Sequence, residues 1–357
     1  MTPDPRNQRA VDPAAQEGRA EPKVRTMRRR EFLVGTAASA AAVAGWNRVG
    51  WARETPQGAP PATPLPVTQG RGQTPASVPP EKLARVSIMT LNFGSILKLP
   101  WTQNPTPEQT LTIFDLPKMY VDTYGVHNIE YQHSHLAPSM PAQGNVDGDP
   151  AMFKELKARL DEQKVQMTQI NLEFGMQNIS TTDADLRQQA IDRTKKWVDN
   201  AVMLGCPRVM INQQQANITK ETRAHTVAAW KAMADYGKTR NVKVSAETRG
   251  AGTPEQVQNI GMKTWEYMAG IIESAGAASN VDIGNVGAAN QQELHDCIKA
   301  WFPYSSGNMH IKSNPNWDIG TAIRYTNNTL GYKGLYSIEV STHQAVRIVY
   351  NTILANL

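Results

Sequence analysis

Val242-Lys243-Val244-Ser245-Ala246-Glu247, Asn280-Val281-Asp282, Asn308-Met309-His310 and Leu335-Tyr336-Ser337-Ile338-Glu339 are four short strand-like segments. Each ends on a side chain able to hold a metal. Stretches of helical patterning separate them, so the four ligand types recur at the pace of a βα repeat. Reading outward, strand candidates lie at 86–91, 126–131, 165–172, 208–212, 242–247, 280–284, 308–312 and 335–340. The segments between them place apolar residues at the helical period. In 186–204, Leu186, Ala190, Thr194, Trp197, Ala201 and Leu204 mark one face; in 343–356, Ala345, Ile348, Val349, Ile353 and Leu354 do the same. Alternating βα units favour a parallel sheet, and eight of them favour closure. The expectation is an α/β fold, a single-domain (β/α)8 TIM barrel. No G-x-G-x-x-G follows the first strand and no P-loop occurs, so nucleotide binding has no support.

The N-terminal part of the chain reads differently. Arg28-Arg29-Arg30-Glu31-Phe32-Leu33 precedes a small, mildly apolar run, Val34 to Gly45. That is the form of a twin-arginine export signal, with cleavage expected after Gly50-Trp51-Ala52. An uncleaved anchor is the alternative, but the apolar run falls short of the ~20 residues of a membrane span. Residues 1–52 are therefore expected to be an N-terminal extension and signal read by the twin-arginine translocase, and the protein to be periplasmic or secreted. The start is either Met1 or Met27. Residues 53–81, rich in Pro, Ala, Gln and Gly without apolar period, read as a disordered linker. About 275 residues remain, 82–357, enough for one barrel.

The net charge of +5 belongs mostly to the signal. Residues 1–52 hold nine Lys and Arg against five Asp and Glu, leaving 28 against 27 in the rest. No basic patch points to nucleic acid. No segment of the mature chain approaches a membrane span. Cys206 and Cys297 make no disulfide framework and read as small buried apolar side chains.

Each ligand candidate has an ordinary alternative. Glu247 and Glu339 would face solvent, Asp282 in Val281-Asp282-Ile283-Gly284-Asn285 would cap a turn, and His310 would be a satisfied core histidine. In a TIM barrel, however, the C-terminal strand ends share one mouth, and there the four converge. Two Glu, one Asp and one His form a hard, oxygen-rich set. One divalent cation is expected, Mn2+ first, with Mg2+, Co2+ or Zn2+ as alternatives.

The order Glu, Asp-x-Gly-Asn, His-x-Lys, Glu at the ends of strands five to eight resembles the xylose isomerase-like superfamily, in its sugar phosphate isomerase/epimerase branch. Trp197-Val198-Asp199-Asn200-Ala201 through Leu204-Gly205-Cys206-Pro207-Arg208-Val209 is similar to that branch's approach to strand four. The resemblance spans roughly residues 86–357. It implies that Glu247, Asp282, His310 and Glu339 bind one cation, with Glu247 and Glu339 also acting as acid and base on opposite faces of a sugar. It implies a substrate role for Lys312, at the His-x-Lys position, although Ser313 stands where Asp is usual. Asn285 stands where several relatives carry a His. That departure, and the lack of further His and Asp ligands around Asn316-Trp317-Asp318, argue against the three-zinc endonuclease IV arrangement.

Further candidates line the expected mouth. His133 and His135 have a metal-ligand spacing that places both rings on one side of an extended segment; substrate contact by one of them ranks above a second metal. Asn212 is a candidate for a substrate hydroxyl, Glu173 and Arg249 for sugar binding or an ion pair, and Trp317 or Trp101 for an apolar sugar face. The expected function is an exported metal-dependent isomerase or epimerase of a sugar or sugar-like polyol. It would act by proton transfer next to a carbonyl. Export favours an unphosphorylated substrate. The alternatives are a metal-dependent lyase or hydrolase of oxidised (3-keto) glycosides and a non-catalytic carbohydrate-binding barrel. Oligomeric state, including a homo-oligomer, stays open.

Overall fold

Eight parallel strands follow one another around a ring. They are β1 Val86–Met89, β2 Asn128–Gln132, β3 Gln166–Leu172, β4 Arg208–Ile211, β5 Lys243–Glu247, β6 Ala278–Asp282, β7 Ser305–Ile311 and β8 Leu335–Ile338. Each pairs with the next, and β1 pairs with β8 with Val86 opposite Tyr336, so the sheet has no free edge. This is a closed (β/α)8 barrel, as the eightfold alternation required. The computed structural model describes residues 78–137, 148–173, 179–212, 218–250 and 252–357. The expected export signal, most of the expected linker and Gln213-Gln214-Gln215 lie outside the described residues. A short helix, α1 Pro80–Leu83, begins two residues ahead of the expected barrel start. Among the described residues no helix is long and apolar enough to cross a membrane.

The surrounding helices are α2 Leu116–Tyr124, α3 Pro150–Glu162, α4 Ala184–Leu204, α5 Arg223–Thr239, α6 Pro254–Ile260, α7 Thr264–Ala275, α8 Gln291–Trp301, α9 Ile319–Arg324 and α10 His343–Asn356. Local chemistry sets their ends. Asp183 accepts from the amides of Asp185 and Leu186 to start α4, and Gly205, at φ 68°, turns the chain out of it. Thr253 and Gln256 form a capping box at α6.

The core is the annulus between strands and helices, with Trp197, Trp230 and Trp301 fully buried in it. Two positions in the expected faces are exposed. Leu186 is 38% and Ile348 70% accessible, whereas Val346, Val349, Tyr350 and Ile353 bury α10. Leu186 lies in the first turn of α4, and Ile348 lies off the buried stripe. Cys206 and Cys297 are free and buried. Two strands end clearly earlier than expected: β1 stops at Met89, where a 3-10 turn over Thr90–Phe93 begins, and β8 stops at Ile338.

Candidate metal centre and active site

The strand period of two sends alternate side chains into the barrel. In β5 these are Ser245 and Glu247, in β6 Asn280 and Asp282, in β7 Asn308 and His310, and at the end of β8 Ser337 and Glu339; all eight are buried. Asp282 lies opposite His310 in register, and the Glu339 amide donates to the Ile311 carbonyl at 3.0 Å. Residues 92 positions apart in sequence thus meet, and one ligand atom from each of Glu247, Asp282, His310 and Glu339 lies within 4.8 Å of the others.

Charge dominates this cluster. His310 Nδ1 sits 2.6 Å from Glu339 Oε2 and 3.0 Å from Glu247 Oε1. Lys312 Nζ sits 2.7 Å from both Asp282 Oδ2 and Glu339 Oε1. The approach of the Lys312 stem depends on Gly284, where any Cβ would overlap it. Burial disfavours the charged forms of His310 and Lys312, but the facing carboxylates outweigh it and raise both pKa values. Burial pushes Asp282 up to about 7, against the pull of Lys312. For Glu339, burial is overcome by Lys312 and His310, which hold it well below the usual carboxylate range.

The residues fit a hard divalent cation. Glu247 Oε2, Asp282 Oδ2 and Glu339 Oε2 are buried with no hydrogen-bond donor in good geometry, so only neighbouring charge holds them. Three carboxylates and one imidazole converging on one point form a set such an ion would satisfy.

Beneath the quartet lies a polar floor that sequence reasoning missed. TIM barrels usually fill this layer with branched apolar side chains. Here Ser245, Asn280, Asn308 and Ser337 occupy it, together with Gln169 and Asn171 of β3 and Glu130 of β2. Glu130 is wholly buried. Its Oε1 lies 2.6 Å from His310 Nε2 and its Oε2 accepts from Asn308 Nδ2 at 3.0 Å. A signal existed, a carboxylate between Ile129 and Tyr131 inside a strand. The nearby His133 and His135 were the more conspicuous feature.

The chain leaves β2 at Gln132 and enters a 3-10 turn over His133–Leu136, so the segment is not extended and the rings do not share a side. His133 Nδ1 faces the Asn171 carbonyl at 2.9 Å, and its ring packs edge-on against Trp197 of α4. His135 Nδ1 lies 3.0 Å from Thr90 Oγ1. Burial lowers both pKa values, to about 3 and about 4.

Arg249 reaches the quartet from the loop after β5, its Nε 3.5 Å from Glu247 Oε2 and 2.7 Å from Asn212 Oδ1. The Asn212 amide also donates to Glu173 Oε1 at 3.3 Å, so both of its ends are engaged within the protein. Burial raises the pKa of Glu173, with Arg249 opposing. Asn285 follows Asp282 closely, its amide N–H donating to the Asp282 carbonyl, and its side-chain Nδ2 is buried without a partner. Trp317 is buried in the loop after β7, and Trp101 donates to the Ser134 carbonyl.

Comparison with known proteins agrees with this architecture. Residues 121–348 match the family model described as xylose isomerase-like TIM barrel. Among solved structures, the chain is similar to a 3-keto-D-glucoside 4-epimerase from E. coli, at 12% identity and TM-score 0.55, covering 76% of this chain and 99% of that one. It is also similar to a xylose isomerase domain protein from Planctomyces limnophilus, at 14% identity and TM-score 0.52, covering 77% and 99%. A D-psicose 3-epimerase from Clostridium cellulolyticum H10, with D-tagatose, matches at 13% identity and TM-score 0.51, covering 76% and 95%. At these identities the likeness is one of fold. No curated protein matches the sequence closely enough to count as a relative.

Proposed function

The chain belongs to the xylose isomerase-like TIM barrel family, and from that premise we propose that it is an exported, divalent-metal-dependent isomerase or epimerase of an unphosphorylated sugar or sugar-like polyol. The observation that carries this reading is the buried quartet Glu247, Asp282, His310 and Glu339 at the barrel mouth. A divalent cation held there, Mn2+ in the first instance, supplies Lewis-acid polarisation of the substrate carbonyl.

The chain's own residues supply the proton chemistry. One of Glu247 and Glu339 takes the proton from the carbon next to the carbonyl, and the bonding pair moves onto the carbonyl oxygen as an enediolate. The other Glu, protonated beforehand, gives its proton to the opposite face of the same carbon as the carbonyl re-forms, which is epimerisation. In isomerisation the proton goes to the former carbonyl carbon, and the neighbouring hydroxyl becomes the new carbonyl as its O–H proton passes to the enediolate oxygen. Arg249 sets a positive charge beside Glu247, its Nε 3.5 Å from Oε2. Lys312, between Asp282 and Glu339, adds positive charge where negative charge develops.

Two features favour an unphosphorylated substrate. The cations packed into the site, Lys312 and Arg249, already face carboxylates. Segments 138–147, 174–178 and 213–217, which follow the second, third and fourth strands in sequence, contain no Lys or Arg. Lys98 and Lys220, on mouth-side loops, are exposed. The Arg29-Arg30 stretch agrees, because phosphorylated sugars belong to the cytoplasm.

A second reading uses the same base. After the proton is removed, a 3-keto glycoside expels its leaving group from the β carbon and frees the other sugar. Incubating metal-loaded protein with free sugars and 3-keto glycosides in D2O, followed by NMR, separates the two. Deuterium entering the carbon next to the carbonyl without cleavage is expected. Release of a free sugar would establish the elimination, and neither change on any substrate, from protein that holds the metal, would leave a carbohydrate-binding barrel. Export is tested by fractionation: wild type should reach the periplasm, and the Arg29→Lys/Arg30→Lys double variant should stay in the cytoplasm.

A further inference from the structure

We propose that Glu130 is a positioning residue that decides which nitrogen of His310 meets the metal, holding Nε2–H so that Nδ1 is the ligand atom. The inference rests on the metal reading above and concerns a residue outside the quartet. A neutral imidazole has one N–H and one lone pair, and the hydrogen bond made by one nitrogen selects the role of the other. The two nitrogens of His310 face different surroundings. Nδ1 points at Glu339 Oε2 and Glu247 Oε1, two oxygens of the quartet. Nε2 points down the barrel at Glu130 Oε1, 2.6 Å away.

The floor of the barrel holds Glu130 as an acceptor. Gln169 Nε2 donates to Oε1 at 3.0 Å and Asn308 Nδ2 donates to Oε2 at 3.0 Å. Those same amide nitrogens also reach Asn280 Oδ1, at 3.3 and 3.1 Å, which ties their orientation to a third strand. Both carboxylate oxygens therefore meet N–H donors. An amide at position 130 would turn its own N–H2 toward one of them, so the surroundings select a carboxylate here. Being wholly buried, Glu130 has no bulk water to compete for these bonds. The partners come from distant strands, since β2 and β7 lie three places apart around the ring and 180 residues separate the pair. A carboxylate behind a ligating histidine orients the ring and makes it a stronger donor to the metal, and losing such a partner typically weakens metal binding about 10–100-fold.

The test uses the full chain labelled with 15N-histidine, with 113Cd2+ as a diamagnetic probe and Mn2+ affinity measured by calorimetry. In wild type, the 113Cd coupling is expected on His310 Nδ1, with Nε2 protonated. In Glu130→Gln the Mn2+ dissociation constant is expected to rise about 10–100-fold, and in Glu130→Leu at least as far, with His310 no longer confined to one tautomer. Coupling to Nε2, or Mn2+ binding by Glu130→Gln as tight as wild type, would overturn the proposal while leaving the metal centre intact. Wild type that binds neither ion would overturn the metal reading and this inference together. The wild-type spectrum decides the point even if neither variant folds.

Discussion

The two ends of the barrel use charge in opposite ways. At the bottom, cations meet neutral acceptors. Arg208, which opens β4, donates to the carbonyls of Ser306 and Thr168 at 2.9 and 3.1 Å, and Lys243 donates to Ser306 as well, at 3.1 Å. Arg85, just ahead of β1, donates to the carbonyls of Gly334 and Tyr332 and stacks over Tyr336 at 5.1 Å. Gly307, at φ 91°, leaves room for the Arg208 guanidinium, which a Cβ would approach to 3.0 Å. At the mouth, Glu247, Asp282 and Glu339 crowd against His310, Lys312 and Arg249 with carboxylate oxygens left short of donors. The bottom is satisfied by groups that cannot leave, so it closes the fold. The mouth is held by charges that an incoming cation can replace, so it can bind. Barrel architecture leads one to expect such a division, with stability at the bottom and binding at the mouth.

The largest effect should come from removing one mouth carboxylate. Glu247→Gln and Glu339→Gln are each expected to lower turnover about 10²–10⁴-fold, the usual contribution of a general acid or base. Thermal stability should fall in Glu339→Gln, because Lys312 and His310 lose a carboxylate that pairs with both. A variant that keeps its turnover but unfolds easily would abolish the contrast between the two ends. The mirror experiment is Arg208→Met, which removes the side-chain donor to the Thr168 carbonyl and leaves Ser306 to Lys243 alone, and should cost about 1–3 kcal/mol in chemical denaturation. Calorimetry should find its Mn2+ affinity close to wild type.

Metal itself should act on one end only. At a Mn2+ concentration a hundredfold above its dissociation constant, stability is expected to rise by about 2.7 kcal/mol. Asp282→Asn should largely lose that gain, Arg208→Met should keep it, and EDTA should reverse it.

A smaller, graded effect concerns the turn that follows β2. His133 and His135 are neutral in the folded protein, with pKa values lowered by burial to about 3 and about 4, against about 6.5 when unfolded. Between those limits the unfolded chain binds more protons, so their contribution is complete above pH 6.5 and is lost as pH falls. Each should cost about 2 kcal/mol at pH 5, from about 1.4 kcal/mol per pH unit. Urea titrations from pH 7 to 5 should show a shallower loss for His135→Gln than for wild type. Parallel slopes would mean that His135 accepts its proton without unfolding.

Legibility from sequence varied with the distance over which the deciding contact acts. Glu247, Asp282, His310 and Glu339 were readable because each closes a strand-like segment and the segments recur at a βα spacing. Asn280 and Asn308 were readable in principle, two residues before Asp282 and His310. Glu130 was not, because its meaning depends on His310 across the barrel. The His133 and His135 pair misled for a related reason: its spacing has one meaning in a strand and another in the 3-10 turn where it lies. Asn212 is a candidate for a substrate hydroxyl in sequence, and only the fold brings Arg249 and Glu173 to the two ends of its amide.

The sequence by itself determined the eight βα units, their closure into a barrel and the strand ends that carry Glu247, Asp282, His310 and Glu339, because these follow from periodicities of two and 3.6 within short windows. Tertiary structure alone decided which side chains share a charge. It made Lys312 the partner of Asp282 and Glu339, Glu130 the partner of His310, and backbone carbonyls the partners of Arg208. The physical reason is that local pattern specifies the face on which a side chain stands, whereas hydrogen bonds and ion pairs act over about 3 Å between groups that only ring closure brings together.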